Sequence, residues 1–209
     1  MKRSKFALYF LSALALCLIA AGCGGKEASA PAAKESVLRY ASADYTTINP
    51  LLNTHDELPN LIFSGLMAYD AAGKPVPELA ESYTFDQETL TYRFQLRKGV
   101  NWHDGQPFTA ADVKFTLDLL REGKDLSASI TDNYKEIASV ETPDDFTVVV
   151  KLSQPSAAML DYLTVGLLPR HLLAGKDIMT DAFNQHPVGT GRYKFALWDV
   201  GQSIVLRCV

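Results

Sequence analysis

Leu90–Leu96, LTYRFQL, alternates without a fault: Leu90, Tyr92, Phe94 and Leu96 on one side, Thr91, Arg93 and Gln95 on the other. A slip of one residue would turn every apolar group to solvent, so the stretch predicts a strand with one buried face. FTVVVKL repeats the pattern with Phe146, Val148, Val150 and Leu152. Pro143-Asp144-Asp145 before it is turn chemistry, which predicts a hairpin over Ile137–Leu152. Between these segments Thr109 and Asp112 have the spacing of a capping box, Val113, Leu117 and Leu120 form an apolar stripe, and Gly123 supplies a stop. A half-buried sheet and an amphipathic helix bury their apolar faces by packing on each other.

Further elements extend this pattern. Pro155–Leu163 predicts a second helix with Pro in its first turn. Tyr193, Phe195 and Leu197 alternate, Asp199–Gln202 turns the chain, and Ser203–Leu206 begins a return strand. Strands and helices mix without a repeating βαβ unit or an internal repeat, which makes the class mixed α/β (α+β). With 47% hydrophobic and 21% charged residues the composition is that of a globular protein. The formal charge is −4 and no basic block interrupts the mixture, so a nucleic-acid binder, which needs clustered Lys and Arg against phosphates, is excluded.

The N-terminus is different in kind. Lys2, Arg3 and Lys5 precede an almost wholly apolar run, Phe6–Ala21, and Ala20-Ala21-Gly22-Cys23 closes it. A basic start, a short apolar run and small residues before a cut predict a secretory signal over 1–22. The run is shorter than the roughly 20 residues of a spanning helix. The ending resembles a bacterial lipobox, with Ala20 where Leu is commonest, and predicts Cys23 as a lipidated mature N-terminus. Removing 1–22 takes three positive charges from the −4 of the whole chain and leaves −7. Residues 23–36, small, polar and Pro-containing, predict a flexible tether. Of three cysteines, Cys17 falls in the signal and Cys23 at the lipid, leaving Cys208. That rules out a disulfide framework or a Cys-based metal site.

Trp102–Phe115, WHDGQPFTAADVKF, places His103 beside Asp104. The pair could be a base with its orienting carboxylate, or the corner before a helix. Asp104-Gly105 is a turn dipeptide and Pro107 holds the chain extended before Thr109, which favours the corner. His103 is then expected to be partly exposed and replaceable at little cost. The sequence contains no Gly-x-Ser-x-Gly elbow, His-Glu-x-x-His pair or phosphate loop. Gly189-Thr190-Gly191 lacks the Lys of a phosphate loop. His55, His103, His171 and His186 are scattered without metal-ligand spacing, so no metal site is expected.

Pro77–Leu117, PELAESYTFDQETLTYRFQLRKGVNWHDGQPFTAADVKFTL, resembles the signature region of family 5 solute-binding proteins, the receptors of ABC importers for oligopeptides, dipeptides and nickel. INPLL (Ile48–Leu52), SGLMAYDAAGKPVPELA, LLPRHLL (Leu167–Leu173) and PVGTGRYKF (Pro187–Phe195) follow the family's order, with Arg192 where the family usually has Pro. The resemblance implies a periplasmic-binding-protein-like fold of class II, two lobes about a cleft, without catalysis or cofactor. Members of the family are much longer. Residues 37–209 are therefore expected to be an N-terminal lobe, cut before the second lobe by a frameshift, a premature stop or an incomplete gene.

In such relatives the segment after the first strand borders the cleft, which points to Tyr45, Thr46, Thr47 and Asn49 as ligand-binding candidates. The expected function is a lipid-anchored, extracytoplasmic, monomeric receptor. Its partners would be a peptide or related small solute, an ABC permease in the cytoplasmic membrane, and the membrane itself. A nickel-chelate receptor, a non-functional truncated remnant and a surface hydrolase using His103 are the alternatives.

Overall fold

The computed structural model describes residues 45–52, 57–123 and 126–209. The expected signal at 1–22, lipidated Cys23, tether at 23–36, first strand and His55 lie outside the described residues. Chain order runs α1 (Leu58–Ile62), β1 (Met67–Tyr69), β2 (Pro75–Pro77), β3 (Ala80–Asp86), β4 (Thr91–Leu96), α2 (Ala110–Glu122) and α3 (Ala128–Thr131). Then come β5 (Ile137–Asp144), β6 (Thr147–Leu152), α4 (Met159–Tyr162), α5 (Arg170–Leu173), β7 (Tyr193–Asp199) and β8 (Ser203–Cys208). This is a mixed α/β fold, as expected.

The central sheet is antiparallel in the order β3-β4-β6-β5. Its alternating residues meet across the strands: Phe94 opposes Val148 and Tyr92 opposes Val150. On β3, Phe85 opposes Tyr92 with ring centroids 4.2 Å apart. Helix α2 packs on the sheet through Val113, Leu117 and Leu120, all fully buried. Each such side chain contributes about 1.5–3 kcal/mol relative to an exposed one. Gly123 ends the helix at φ 64°, the left-handed region where the absence of a Cβ removes the steric cost. β1 pairs with β2, and β7 with β8, each in a two-stranded sheet.

Two expectations change. The strand begins at Thr91, because Leu90 turns the chain at φ 53°. The Pro155–Leu163 helix shrinks to Met159–Tyr162, with Ala158 at φ −94°, ψ 3° before it. The shortening is almost all at the N-terminal side, where residues 155–158 stay outside the helix; beyond its C-terminal end the Met67 N–H donates to Leu163 O at 3.1 Å and the Leu167 N–H to Ser64 O at 3.0 Å. Those bonds draw the chain after Leu163 alongside Ser64–Met67, where a continued helix could not go.

Asp112 joins the helix to its surroundings. One carboxylate oxygen accepts the Thr109 N–H at 2.9 Å, the reciprocal half of the expected capping box, and the Trp102 indole N–H at 3.4 Å. The other accepts the Arg170 N–H at 2.9 Å. One turn on, the Thr116 hydroxyl accepts the Leu168 N–H at 2.9 Å. The LLPRHLL segment is thus tied to α2 by one buried and one partly buried hydrogen bond, and exclusion of water strengthens the first.

Candidate functional site

A cleft of about 660 Å³ opens between the chain after Tyr45 and the segment Met179–Gln185. Thr46, Thr47, Leu51 and Leu52 line one wall, Asp181 and Asn184 belong to the facing one, and Ser127 and Ile130 of the α3 region close an edge. The first wall is rigid for a reason visible in Thr-Ile-Asn-Pro-Leu. Ile48, Asn49 and Leu51 are fully buried. The Asn49 side-chain oxygen accepts the Leu51 N–H at 2.9 Å, forming a local turn, and its amide donates to Asn184 Oδ1 at 3.0 Å. The Ile48 N–H donates to Asn184 O at 2.9 Å. Asn184 in turn donates its side-chain amide to Ile178 O and Met179 O at 2.9 and 3.1 Å. A buried Asn pair therefore clamps the two walls together.

The four cleft candidates divide. Exposed Thr46 and half-buried Thr47 line the cleft, and the Thr47 hydroxyl also accepts the Asn49 N–H at 3.2 Å. Asn49 lies behind the wall with its amide engaged, and Tyr45 is half-buried beside it, outside the lining. The opposite wall was not expected from the sequence. Its signal is Asp181 ahead of the 3₁₀ turn Ala182–Asn184, an N-cap pattern confirmed by the Phe183 N–H donating to the carboxylate at 2.8 Å. That bond holds the Asp181 carboxyl below the usual range, with Lys176 at 3.4 Å adding to the effect.

The His103–Asp104 pair does not form. Asp104 bonds His171 Nε2 at 2.7 Å. Burial pushes the Asp104 carboxyl up, but the His171 bond and the Gln106 N–H outweigh it and leave it low. Half-buried His103 turns to the Gly-Thr-Gly segment. Its backbone N–H donates to Gly189 O at 2.9 Å, its Nδ1 accepts the Gly189 N–H at 3.3 Å, and its Nε2 lies 2.9 Å from Gly191 O. Both ring nitrogens are occupied by backbone, which leaves neither to activate water. Partial exposure holds as expected, and two of these three hydrogen bonds belong to the ring.

The glycines follow from the next layer inward. The Gly191 N–H donates to Ile62 O at 2.8 Å, and a Cβ on Gly189 would stand 1.9 Å from that oxygen. Gly-Thr-Gly is a close-approach segment clasped between α1 and the His103 corner. Of the other histidines, His186 stacks edge-on to Phe195 at 5.6 Å. Among the described residues no three His, Cys, Asp or Glu side chains converge as a metal site. Also among the described residues, no helix is long and apolar enough to cross a membrane.

Comparison with known proteins identifies the family. The family model "Bacterial extracellular solute-binding proteins, family 5 Middle" matches residues 74–208. A Brucella abortus protein named as a putative ABC transporter peptide-binding protein is 40% identical over 166 residues, covering 77% of this chain and 28% of that one. The oligopeptide-binding protein AppA of Bacillus subtilis is 31% identical over 226 aligned residues, 99% of this chain and 41% of AppA. The crystal structure of NikZ from Campylobacter jejuni with Ni(L-His) superposes at a TM-score of 0.76 and 39% identity, covering 79% of this chain and 34% of NikZ. The chain thus spans well under half the length of these relatives. The matched span takes in the sheet, α2, the His103 corner and the Gly-Thr-Gly segment, and the chain belongs to the family 5 bacterial extracellular solute-binding proteins.

Proposed function

We propose that this chain carries the Thr46–Thr47 wall and the facing wall of Asp181 and Asn184 of a ligand cleft in the receptor of an ABC importer for peptides or related small solutes. The observation that carries the reading is the clamped Thr46–Thr47 wall facing a cleft of about 660 Å³, within the roughly 300–1,000 Å³ of small-molecule sites. Threonine hydroxyls both donate and accept, as the amides and carbonyls of a peptide require. Residues 37–209 carry this wall, and Tyr45 and Asn49 support it from behind. The receptor works as a monomer that hands its ligand to a permease and performs no chemistry on it.

The test is thermal unfolding of the purified protein against di- to pentapeptides and against nickel–histidine, the latter because NikZ was solved with Ni(L-His). A ligand that binds only the folded state stabilises it by about 2.7 kcal/mol at a hundredfold excess over Kd, so the midpoint keeps rising with the logarithm of ligand concentration. A midpoint that rises with peptide concentration supports the reading, and a rise with nickel–histidine alone shifts it to metal chelates. No shift with any of them contradicts it.

Anchoring belongs to the same proposal. Cys23 after Ala-Ala-Gly receives lipid, residues 23–36 form the tether, and the receptor stays at the outer face of the cytoplasmic membrane at high effective concentration near its permease. Cys23→Ser is expected to move the protein from the membrane fraction to the soluble extracytoplasmic fraction. Equal membrane retention of the variant would contradict lipidation.

A further inference from the structure

We propose that His103 is a proton-operated latch on the Gly-Thr-Gly segment. With the ring neutral the latch holds Gly189, and a second proton on the ring releases it. The geometry assigns the neutral form. The Gly189 N–H can donate only to an unprotonated Nδ1, so the single ring proton sits on Nε2, where it donates to Gly191 O at 2.9 Å. The imidazolium has no acceptor. Protonation would set an N–H against the Gly189 N–H, leave that amide without its partner, and force the corner and the segment apart.

Surrounding groups act in both directions. Burial, the largest influence, keeps the imidazole below its ordinary value, and Lys194 on β7 adds to this. The Gly191 carbonyl and Asp104 raise it, although Asp104 is shared with His171 of α5. From α1, Leu61 and Ile62 meet the glycines through main chain and an aliphatic side chain. Arg192, next to Gly191, is exposed. Since the folded-state value lies below the unfolded one, the folded protein binds fewer protons and stability rises with pH. The contribution of the latch is complete above about pH 6.5 and is lost as pH falls towards the folded-state value.

The latch sits five residues beyond Asn184, whose backbone and side chain hold the Thr46–Leu52 wall. A loosened 187–191 segment transmits to that wall through Gln185 and His186, which join it to Asn184. Any effect on ligand depends on the cleft being the ligand site, as proposed above; the latch itself does not.

Amide hydrogen exchange of Gly189, read by NMR beside the ring nitrogens of His103 between about pH 7.5 and pH 4.5, tests it. Gly189 protection, corrected for intrinsic exchange, is expected to fall by at least about tenfold, in step with His103 protonation. In His103→Gln the Gly189 protection is expected to be flat across the same range. Protection that survives a protonated ring overturns the latch, as does a ring that stays neutral throughout or protection lost before the ring titrates. Ligand affinity that stays constant while Gly189 opens would count against the cleft and leave the latch standing.

Discussion

Gly189→Ala is expected to destabilise the protein by about 3 kcal/mol or more, enough to unfold a marginal domain. The added Cβ would stand 1.9 Å from Ile62 O. It meets backbone on α1, not the end of a flexible side chain, so no rotamer change relieves it. Relief requires parting Gly191 N–H from Ile62 O, or His103 N–H from Gly189 O, and each separation strands buried polar groups. Denaturant unfolding of the variant beside Thr190→Ala checks it. The neighbouring change leaves both glycines intact and is expected to cost far less. A Gly189→Ala protein as stable as wild type would mean that the segment is not held against α1 as described.

The second large effect concerns Asp112→Ala, expected to cost about 2–5 kcal/mol. One substitution removes the acceptor for the Thr109 N–H, the Trp102 indole and the Arg170 N–H. Trp102 is 2% exposed, so its indole cannot turn to water. Asp112→Asn is expected to fall between, because one side-chain oxygen can still accept while the new amide meets existing donors. Chemical denaturation of the two variants and wild type checks the order. An Asn variant no better than Ala would mean that the charge, not the number of acceptors, matters.

These two sites show what could be read in the chain and what could not. Thr109 and Asp112 lie three residues apart, so their capping box was legible, as were Gly123 and the alternation of β4 and β6. The other duties of Asp112 were hidden, because Arg170 lies 58 residues away in sequence. His103 is the sharper case. Its neighbour Asp104 suggested a pair, yet its partners Gly189 and Gly191 lie 86 and 88 residues away. Turn chemistry could place His103 at a corner but could not show what that corner touches. Of the expected Pro155–Leu163 helix only Met159–Tyr162 forms, and the pairing of the following chain with Ser64–Met67 bears on its C-terminal end alone.

The cleft divides in the same way. Thr46 and Thr47 came from resemblance to a family, since no periodicity marks them. Their facing wall depends on Asn49 meeting Asn184 across 135 residues. An isolated asparagine carries no sign of that role. Buried and bonded on several sides, each becomes a clamp that holds hydroxyl-bearing residues at a cleft edge.

That the Thr46–Thr47 wall binds the solute is tested most directly by calorimetric titration of wild type and Thr46→Trp with a peptide that stabilises the protein. Thr46 is exposed, so the indole is expected to leave folding intact and fill the mouth of the cleft. The predicted result is an unchanged unfolding midpoint with affinity weakened at least about tenfold, the roughly 1.4 kcal/mol of one or two lost contacts. Wild-type affinity in Thr46→Trp would contradict the account and place the ligand elsewhere on the protein.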